Sequence, residues 1–422
     1  MVPAGLKLKT TNMFGDSGKP LFEDGNPGPG LMPREILEEP KTKGKQLVIG
    51  IPKEHRFHES RILLTPHDAG QLVINGHKVV MERDAGQGAR FSNEEYAAQG
   101  VIITDSRDEV YHSDIILKLM PPSQDEIGMM KSRQILFSTL NFVDNDKHYF
   151  QALMQKKVTA ICLESIREED GSYPVIRAMS EIAGNACIYL ASRYLSDPRM
   201  GQSRMLGGFS GVDPVEIIIL GAGTVAEYAT RSALGMGAHV KIFDPSIRKI
   251  RRLQSLLQER VYTNLLTPDA ISKALPTADV VICSMYTHHR ETPCVLTEDM
   301  VRTMRQGSVL IDISIDRGGC AETSRTTFLN DPVYEKHGVI HYCVPNLLSR
   351  FSHTASVALS NYFCRFLEET TESGGVHQLL RRIPSLRNSA YLYHGVLTKK
   401  SISHKTGLPY KDINLLISSM DQ

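Results

Sequence analysis

The chain reads as an α/β protein built from two α/β domains, the first of them discontinuous. Three observations predict this. The apolar run Val215-Glu216-Ile217-Ile218-Ile219-Leu220 passes directly into Gly221-Ala222-Gly223 and then into helix-forming residues from Thr224. From Leu47 to Cys162, short β-branched runs alternate with helical segments, the pattern of a mostly parallel sheet. Two long helical stretches, about 177 to 196 and Ala355 to Glu369, flank the second unit and are long enough to pass between domains.

The first observation carries chemistry. A buried strand, a glycine turn and a helix start, with an acid at the end of the next strand, form a dinucleotide-binding fingerprint. Gly221 lets the chain turn off the strand. Gly223 has no Cβ, so a pyrophosphate can approach the backbone, and Ala226 keeps the helix close to the sheet. Thr224 and Val225 open the helix, whose free N–H groups and partial positive charge suit phosphate. The second run, Ala238-His239-Val240-Lys241-Ile242-Phe243, ends in Asp244, which is expected to accept hydrogen bonds from both ribose hydroxyls. A carboxylate there repels a 2′-phosphate, so NAD is favoured over NADP. Arg248, Lys249, Arg251 and Arg252 follow immediately and keep NADP open as the alternative; Lys249 is counted with the cofactor-binding residues.

At 422 residues the chain is long enough for two or three domains with sizeable cores. With 48 Lys and Arg against 47 Asp and Glu, the net charge points to neither nucleic acid nor an anionic membrane as main partner. No apolar run approaches the roughly twenty residues of a membrane span, and the N-terminus lacks a basic-then-apolar signal pattern. The seven cysteines are odd in number, scattered and without a CxxC pair. They are read as reduced residues of a cytoplasmic protein, with no metal site expected.

In chain order, residues 1–45 are rich in Gly, Pro, Lys and Glu and read as a flexible extension, with Leu31 to Leu37 as its short apolar piece. Leu47 to Pro52 is a buried strand. Thr65 as N-cap and Pro66 at the first helical position begin a helix that Asn75-Gly76 ends. His77 to Met81 is the next strand, Asn93 to Gln99 a helix, and Val101 to Ile103 a strand. Ile115 to Leu119 and Gln134 to Ser138 are two more, and Val158 to Cys162 closes the set. Strands at Val280 to Cys283, Ser308 to Asp312 and Val339 to Val344 continue the second sheet. The domains expected are therefore residues 46–176 plus 353–422 for substrate, and 177–352 as a Rossmann domain for NAD, with a cleft at the strand C-terminal ends.

Over about residues 47 to 415 the chain resembles the alanine dehydrogenases, the family that also includes the nicotinamide-binding part of proton-translocating transhydrogenase. The motifs are Ile49 to Glu54, Glu59-Ser60-Arg61-Ile62-Leu63-Leu64-Thr65-Pro66, Met179 to Gly184, Ile315 to Cys320 with Glu322-Thr323-Ser324, and Tyr334 to Val339 with Val344-Pro345-Asn346. The resemblance implies reversible NAD-linked oxidation of L-alanine to pyruvate and ammonia, and a homo-oligomer, hexameric in the family. It makes Arg61 the carboxylate-binding cation, for which a guanidinium fork is suited. Asp316 becomes the catalytic carboxylate. Ser180, Ile315 and Asn346 fall beside the nicotinamide end of the cofactor.

The chain departs from the family where the chemistry is done. The second cation, a lysine, is replaced by Met120, with Pro121 next to it. The catalytic histidine falls at Asn141, and a tyrosine two residues earlier becomes Thr139. Lys118 is the candidate replacement cation. It shares a strand face with position 120, but a two-residue shift moves the ammonium roughly 6 to 7 Å; the alternative is a lysine at a strand edge. His341, His55, His58 and His67 are the other candidate proton carriers. Tyr286-Thr287-His288-His289-Arg290 also departs from the family's apolar loop. The expected function is thus an NAD-dependent oxidoreductase acting on a small amino or keto acid. The alternative is an altered relative that binds NAD(H) in a regulatory role or takes a different small amino acid.

Overall fold

The structure is a computed structural model that describes residues 46–55, 58–140, 146–168, 170–285, 292–372 and 375–419. The extension at 1–45, Asn141 and the Tyr286 to Arg290 segment lie outside the described residues. The α/β class and the two domains are borne out.

The first sheet has eight strands: β1 (Val48–Ile51), β2 (Lys78–Glu82), β3 (Ile102–Thr104), β4 (Ile115–Leu117), β5 (Ile135–Ser138), β6 (Thr159–Cys162), β14 (Ala390–Tyr393) and β15 (Val396–Leu397). Its order is β15-β14-β6-β5-β4-β1-β2-β3. The second sheet has seven: β7 (Glu216–Leu220), β8 (His239–Asp244), β9 (Tyr262–Leu265), β10 (Val280–Cys283), β11 (Val309–Asp312), β12 (Val333–Lys336) and β13 (Val339–Tyr342), ordered β12-β13-β11-β10-β7-β8-β9. Remove the antiparallel edges and the six parallel strands of each sheet have the same doubly wound order, third-second-first-fourth-fifth-sixth. Such a sheet opens a crevice where the order reverses, beyond the strands' C-terminal ends. Those points lie between β1 and β4 in one sheet and between β7 and β10 in the other.

Two corrections belong here. Val158 to Cys162 does not close the first sheet: β14 pairs antiparallel with β6, and β15 with β14. The second sheet gains an antiparallel edge strand, β12, against β13.

The local signals work as chemistry requires. Helix α1 (Pro66–Ile74) is capped by Thr65, whose Oγ1 accepts the Asp68 N–H at 3.3 Å. The parallel strands are buried on both faces, which is why they are continuous Val/Ile/Leu runs. Helix α2 (Pro174–Leu195) packs Val175 into the core of the first sheet and Ala183 to Leu195 into the core of the second. Helix α3 (Thr224–Gly235) follows the glycine turn. Helix α4 (Ser352–Glu372) returns the chain, with Leu359, Phe363 and Leu367 in the first core.

Candidate active site

The crevice of the second sheet is built around Gly221. Its φ of 111° is open to glycine, and a Cβ would lie 2.8 Å from the Ser284 carbonyl oxygen. The turn is wedged between neighbouring strand ends: Gly221 N–H donates to Phe243 O at 2.7 Å, and Ser284 N–H donates to Leu220 O at 2.8 Å. Asp244 is buried. One carboxylate oxygen accepts the Ala222 N–H at 2.8 Å and the other accepts the Ser246 N–H at 2.7 Å. Its first task is therefore to lock the turn, and each oxygen keeps acceptor capacity for a hydroxyl.

The residues present fit a dinucleotide. Gly223 is exposed, and a Cβ there would meet nothing within 4 Å. It is the N-cap of α3, and no side chain caps that helix. An open cradle before an uncapped N-terminus suits a pyrophosphate. Thr224 and Val225 are half-buried at its lip, and Lys249 is exposed on the helix Ile247–Leu257.

The crevice of the first sheet is ionic. Glu54 follows β1 and Lys118 follows β4, and their side chains pair at 2.8 Å. Glu126 holds the same ammonium at 3.3 Å, and Lys118 has a side-chain exposure of 0%. This corrects the expectation for Lys118. Its charge is spent inside the protein on two carboxylates, so it presents no accessible ammonium to a substrate. Glu54 also accepts the N–H groups of Leu119 at 2.5 Å and Met120 at 3.3 Å. Burial raises the Glu54 carboxyl in spite of the neighbouring lysine. Met120 is half-buried, and Thr139 donates its hydroxyl to Leu119 O at 2.7 Å.

The two crevices are bridged at Arg61. Its fork clamps Glu59, Nε to Oε1 at 2.8 Å and Nη2 to Oε2 at 2.7 Å. Nη2 also donates to Asn346 Oδ1 at 2.8 Å, and Nη1 lies 3.6 Å from Met179 Sδ. Asn346 returns the contact by donating to Glu59 Oε2 at 2.9 Å and to Ser349 Oγ at 2.7 Å. Its backbone is left-handed, with φ 54°, and its N–H donates to Asp316 Oδ1 at 3.2 Å. Asp316 lies in the 3-10 turn Ile315–Arg317 after β11, with Ile315 tucked into the protein beside it.

Electrostatics follow from this packing. Burial pushes Glu59 up, but the Arg61 guanidinium and the Asn346 amide outweigh it, so its carboxyl is held below the ordinary range. Burial also works against Arg61, and Glu59 more than offsets it. Asp316 is exposed as a residue, with its carboxyl turned towards the Asn346 N–H. Desolvation of that carboxyl raises it against the pull of the Asn346 N–H, Arg61 and Arg317.

The remaining expected residues are scattered. Ser180 is half-buried on α2, one residue from Met179. His341 lies fully inside β13, its ring nitrogens within hydrogen-bond distance of Thr323 Oγ1 at 2.8 Å and Val339 O at 2.9 Å. It is a packed core histidine and carries no protons in the cleft. His55 pairs with Glu82 at 3.3 Å, and His58 and His67 are exposed. Cys283, Asp312 and Cys320 come together in the interior. Asp312 already accepts from Ser314 N–H, Cys320 N–H and Ser324 Oγ, so it is the staple of the loop that carries Asp316.

Sequence reasoning missed Glu54, Glu59 and Ser349. The signal for Glu59 was present: a carboxylate two residues before Arg61 in a non-helical stretch lies on the arginine's side of the chain.

Comparison with known proteins decides what this arrangement belongs to. The family model "Alanine dehydrogenase/PNT, N-terminal domain" matches residues 50–183, and "Alanine dehydrogenase/PNT, C-terminal domain" matches residues 187–400. The chain belongs to the alanine dehydrogenase/PNT family. It is similar to the alanine dehydrogenase of Methanococcus maripaludis, 34% identical over 366 residues, covering 86% of this chain and 98% of the relative. It is similar to that of Bacillus subtilis, 33% identical, covering 86% of this chain and 96% of the relative. Among solved structures, an L-alanine dehydrogenase superposes with a TM-score of 0.78 at 31% identity, over 85% of this chain and 98% of that one. The transhydrogenase from Sinorhizobium meliloti shares the fold, with a TM-score of 0.71 at 22% identity, over 83% of this chain and 99% of that one. Among the described residues no helix is long and apolar enough to cross a membrane.

Proposed function

We propose that this chain is an NAD-dependent amino-acid dehydrogenase of the alanine dehydrogenase type. It converts a small L-amino acid, NAD and water to the 2-oxo acid, ammonia, NADH and a proton. The observation that carries this reading is the meeting of Arg61, Asp316 and Asn346, which come from the loops after β1, β11 and β13. Arg61 has Nη1 left over from its bonds to Glu59 and Asn346, and this end meets the substrate carboxylate. Asp316, its carboxyl raised above the ordinary range by the protein around it, serves the amine and the attacking water. Asn346 keeps the two in register. Bound at the Gly223 cradle, NAD supplies the hydride acceptor.

The test is NADH formation by purified protein with a panel of L-amino acids at alkaline pH, beside NAD binding by calorimetry. Turnover that disappears in Asp316→Asn supports the reading. No NADH from any amino acid sinks it.

One observation favours a second reading. Met120 carries no charge and Lys118 is tied up internally, so the pocket is one cation short of the family pattern. On this reading the chain binds NAD(H) without turnover, or takes a different small amino acid. Met120→Lys with Asn141→His separates the two: gain of alanine activity means an intact scaffold, and no gain means a reshaped pocket.

A further inference from the structure

Arg61 is held by Glu59 and Asn346, and a single hydroxyl group holds both of these residues in turn. Ser349 lies in the 3-10 turn Leu347–Phe351 that leads into α4. Its Oγ donates to Glu59 Oε1 at 3.0 Å and accepts from Asn346 Nδ2 at 2.7 Å. It also accepts the Ser60 N–H at 3.3 Å, next to Arg61 in the chain. A serine hydroxyl has one proton and two lone pairs. Here the lone pairs face N–H donors, so the proton is directed at Glu59. Ser349 is buried, and bulk water does not compete for these bonds. The guanidinium is equally committed. Its Nε and Nη2 protons go to Glu59 and Asn346, while Nη1 meets only the Met179 thioether, at 3.6 Å. The partners that fix the guanidinium plane are therefore the ones that Ser349 bonds.

We propose that Ser349 is a positioning residue for the substrate carboxylate: through Glu59 and Asn346 it fixes the guanidinium plane, and so the direction of Arg61 Nη1. The proposal rests on the dehydrogenase reading above. A carboxylate gripped by one end of a guanidinium depends on aim, because a hydrogen bond weakens steeply as it bends. Without the hydroxyl, Glu59 Oε1 keeps only its bonds from Arg61 itself, the backbone N–H at 2.9 Å and Nε at 2.8 Å. Asn346 Nδ2 remains on Glu59 Oε2 at 2.9 Å but has lost its own second partner. The Glu59–Arg61 pair can then tilt as a unit, and its internal bonds do not resist. The carboxylate is held alike before and during the chemical step, so loosened aim raises KM and leaves kcat in place.

The experiment compares wild type with Ser349→Ala by steady-state kinetics in both directions, and by calorimetry of pyruvate binding to the NADH-loaded protein. Melting temperature and NADH affinity serve as controls. The expected result is a rise of about tenfold in KM for the amino acid and for the 2-oxo acid, with kcat within about twofold of wild type. Pyruvate affinity should fall by the same factor and NADH affinity should not change. A double variant shows whether the effect runs through the arginine. Lysine in place of Arg61 keeps the charge but has no fork to aim. Adding Ser349→Ala to Arg61→Lys should therefore change kcat/KM, which is readable below saturation, by less than about twofold. Pyruvate affinity within about twofold of wild type in Ser349→Ala overturns the proposal and leaves the dehydrogenase reading standing. So does an equal loss in both backgrounds, which would separate the effect from the arginine. Loss of NADH binding together with the fold also overturns it, since the hydroxyl would then serve folding alone. A wild type that binds pyruvate without turnover sinks the dehydrogenase reading, and the pyruvate affinities still judge Ser349. A wild type that does neither overturns both.

Discussion

Arg61 and Asn346 stand 285 positions apart in the chain and share a hydrogen bond of 2.8 Å. The bond joins the loop after β1 to the loop after β13, and Asn346 makes it from a left-handed backbone that asparagine tolerates better than most residues. Asn346→Gly keeps that backbone and deletes the bonds to Arg61, Glu59 and Ser349. We expect about 2 kcal/mol of lost stability in urea unfolding and at least a tenfold rise in KM for the substrate. Asn346→Leu adds backbone strain and is expected to be less stable than the glycine variant.

Arg61 neutralises a fully buried partner, since the Glu59 side chain has an exposure of 0%. Arg61→Met leaves that carboxylate unpaired, at a cost of about 3 to 5 kcal/mol. The double variant Arg61→Met with Glu59→Gln removes the stranded charge and is expected to regain most of the stability by thermal denaturation. It should not regain turnover. Recovery of both would mean that the arginine serves folding alone.

The two glycines of the turn differ in what surrounds them. Gly221→Ala pushes a Cβ against the Ser284 carbonyl oxygen from a φ of 111° and should lower the melting temperature. Gly223→Ala fills open space from an ordinary backbone conformation, with φ −90°, so the fold should not change. Calorimetry should nevertheless show NAD affinity weakened tenfold or more, because the methyl group sits where the pyrophosphate approaches. Unchanged affinity would remove the phosphate from that cradle.

Lys118 is expected to behave as a structural residue. Lys118→Met strands the buried Glu54 without its cation, while Glu126 keeps Arg107 at 3.1 Å, and the fold should lose about 3 kcal/mol or more. A stable variant whose only defect is a raised KM would instead place the lysine at the substrate.

Stability should depend on pH through His341. Burial inside β13 pushes its imidazole down to about 4. Unfolded, it takes a proton near 6.5. The unfolded chain therefore binds more protons between those values, so stability is complete above about pH 6.5 and is lost as pH falls towards 4. The loss amounts to about 3 kcal/mol. Chemical denaturation at stepped pH should show it, and His341→Gln should flatten that part of the curve.

Much of the fold was legible because its determinants are local. Thr65-Pro66 starts a helix by capping chemistry alone, and Ile217 to Gly223 spells a strand and turn in consecutive residues. The missed hairpin of β14 and β15 had a signal: His394-Gly395 takes positive φ at both positions, 48° and 79°, as a two-residue hairpin turn requires. Its pairing with β6, some 230 residues earlier, has no local trace. The site divides in the same way. Arg61, Asp316 and Asn346 were visible through their motifs. The burial of Lys118 was not, because Glu54 approaches it from the loop after β1 and Glu126 from the helix Gln124–Met129, and only the folded sheet brings them together.

Helix α2 belongs to two hydrophobic cores at once, with Val175 at one end in the first and Ala183 to Leu195 in the second. Neither core can open without removing a wall from the other. The two domains are separate in their sheets and continuous in their folding, so the chain should unfold in one cooperative transition. A chain cut within α2 should yield two fragments that each expose an apolar strip and are stable only when they find each other again.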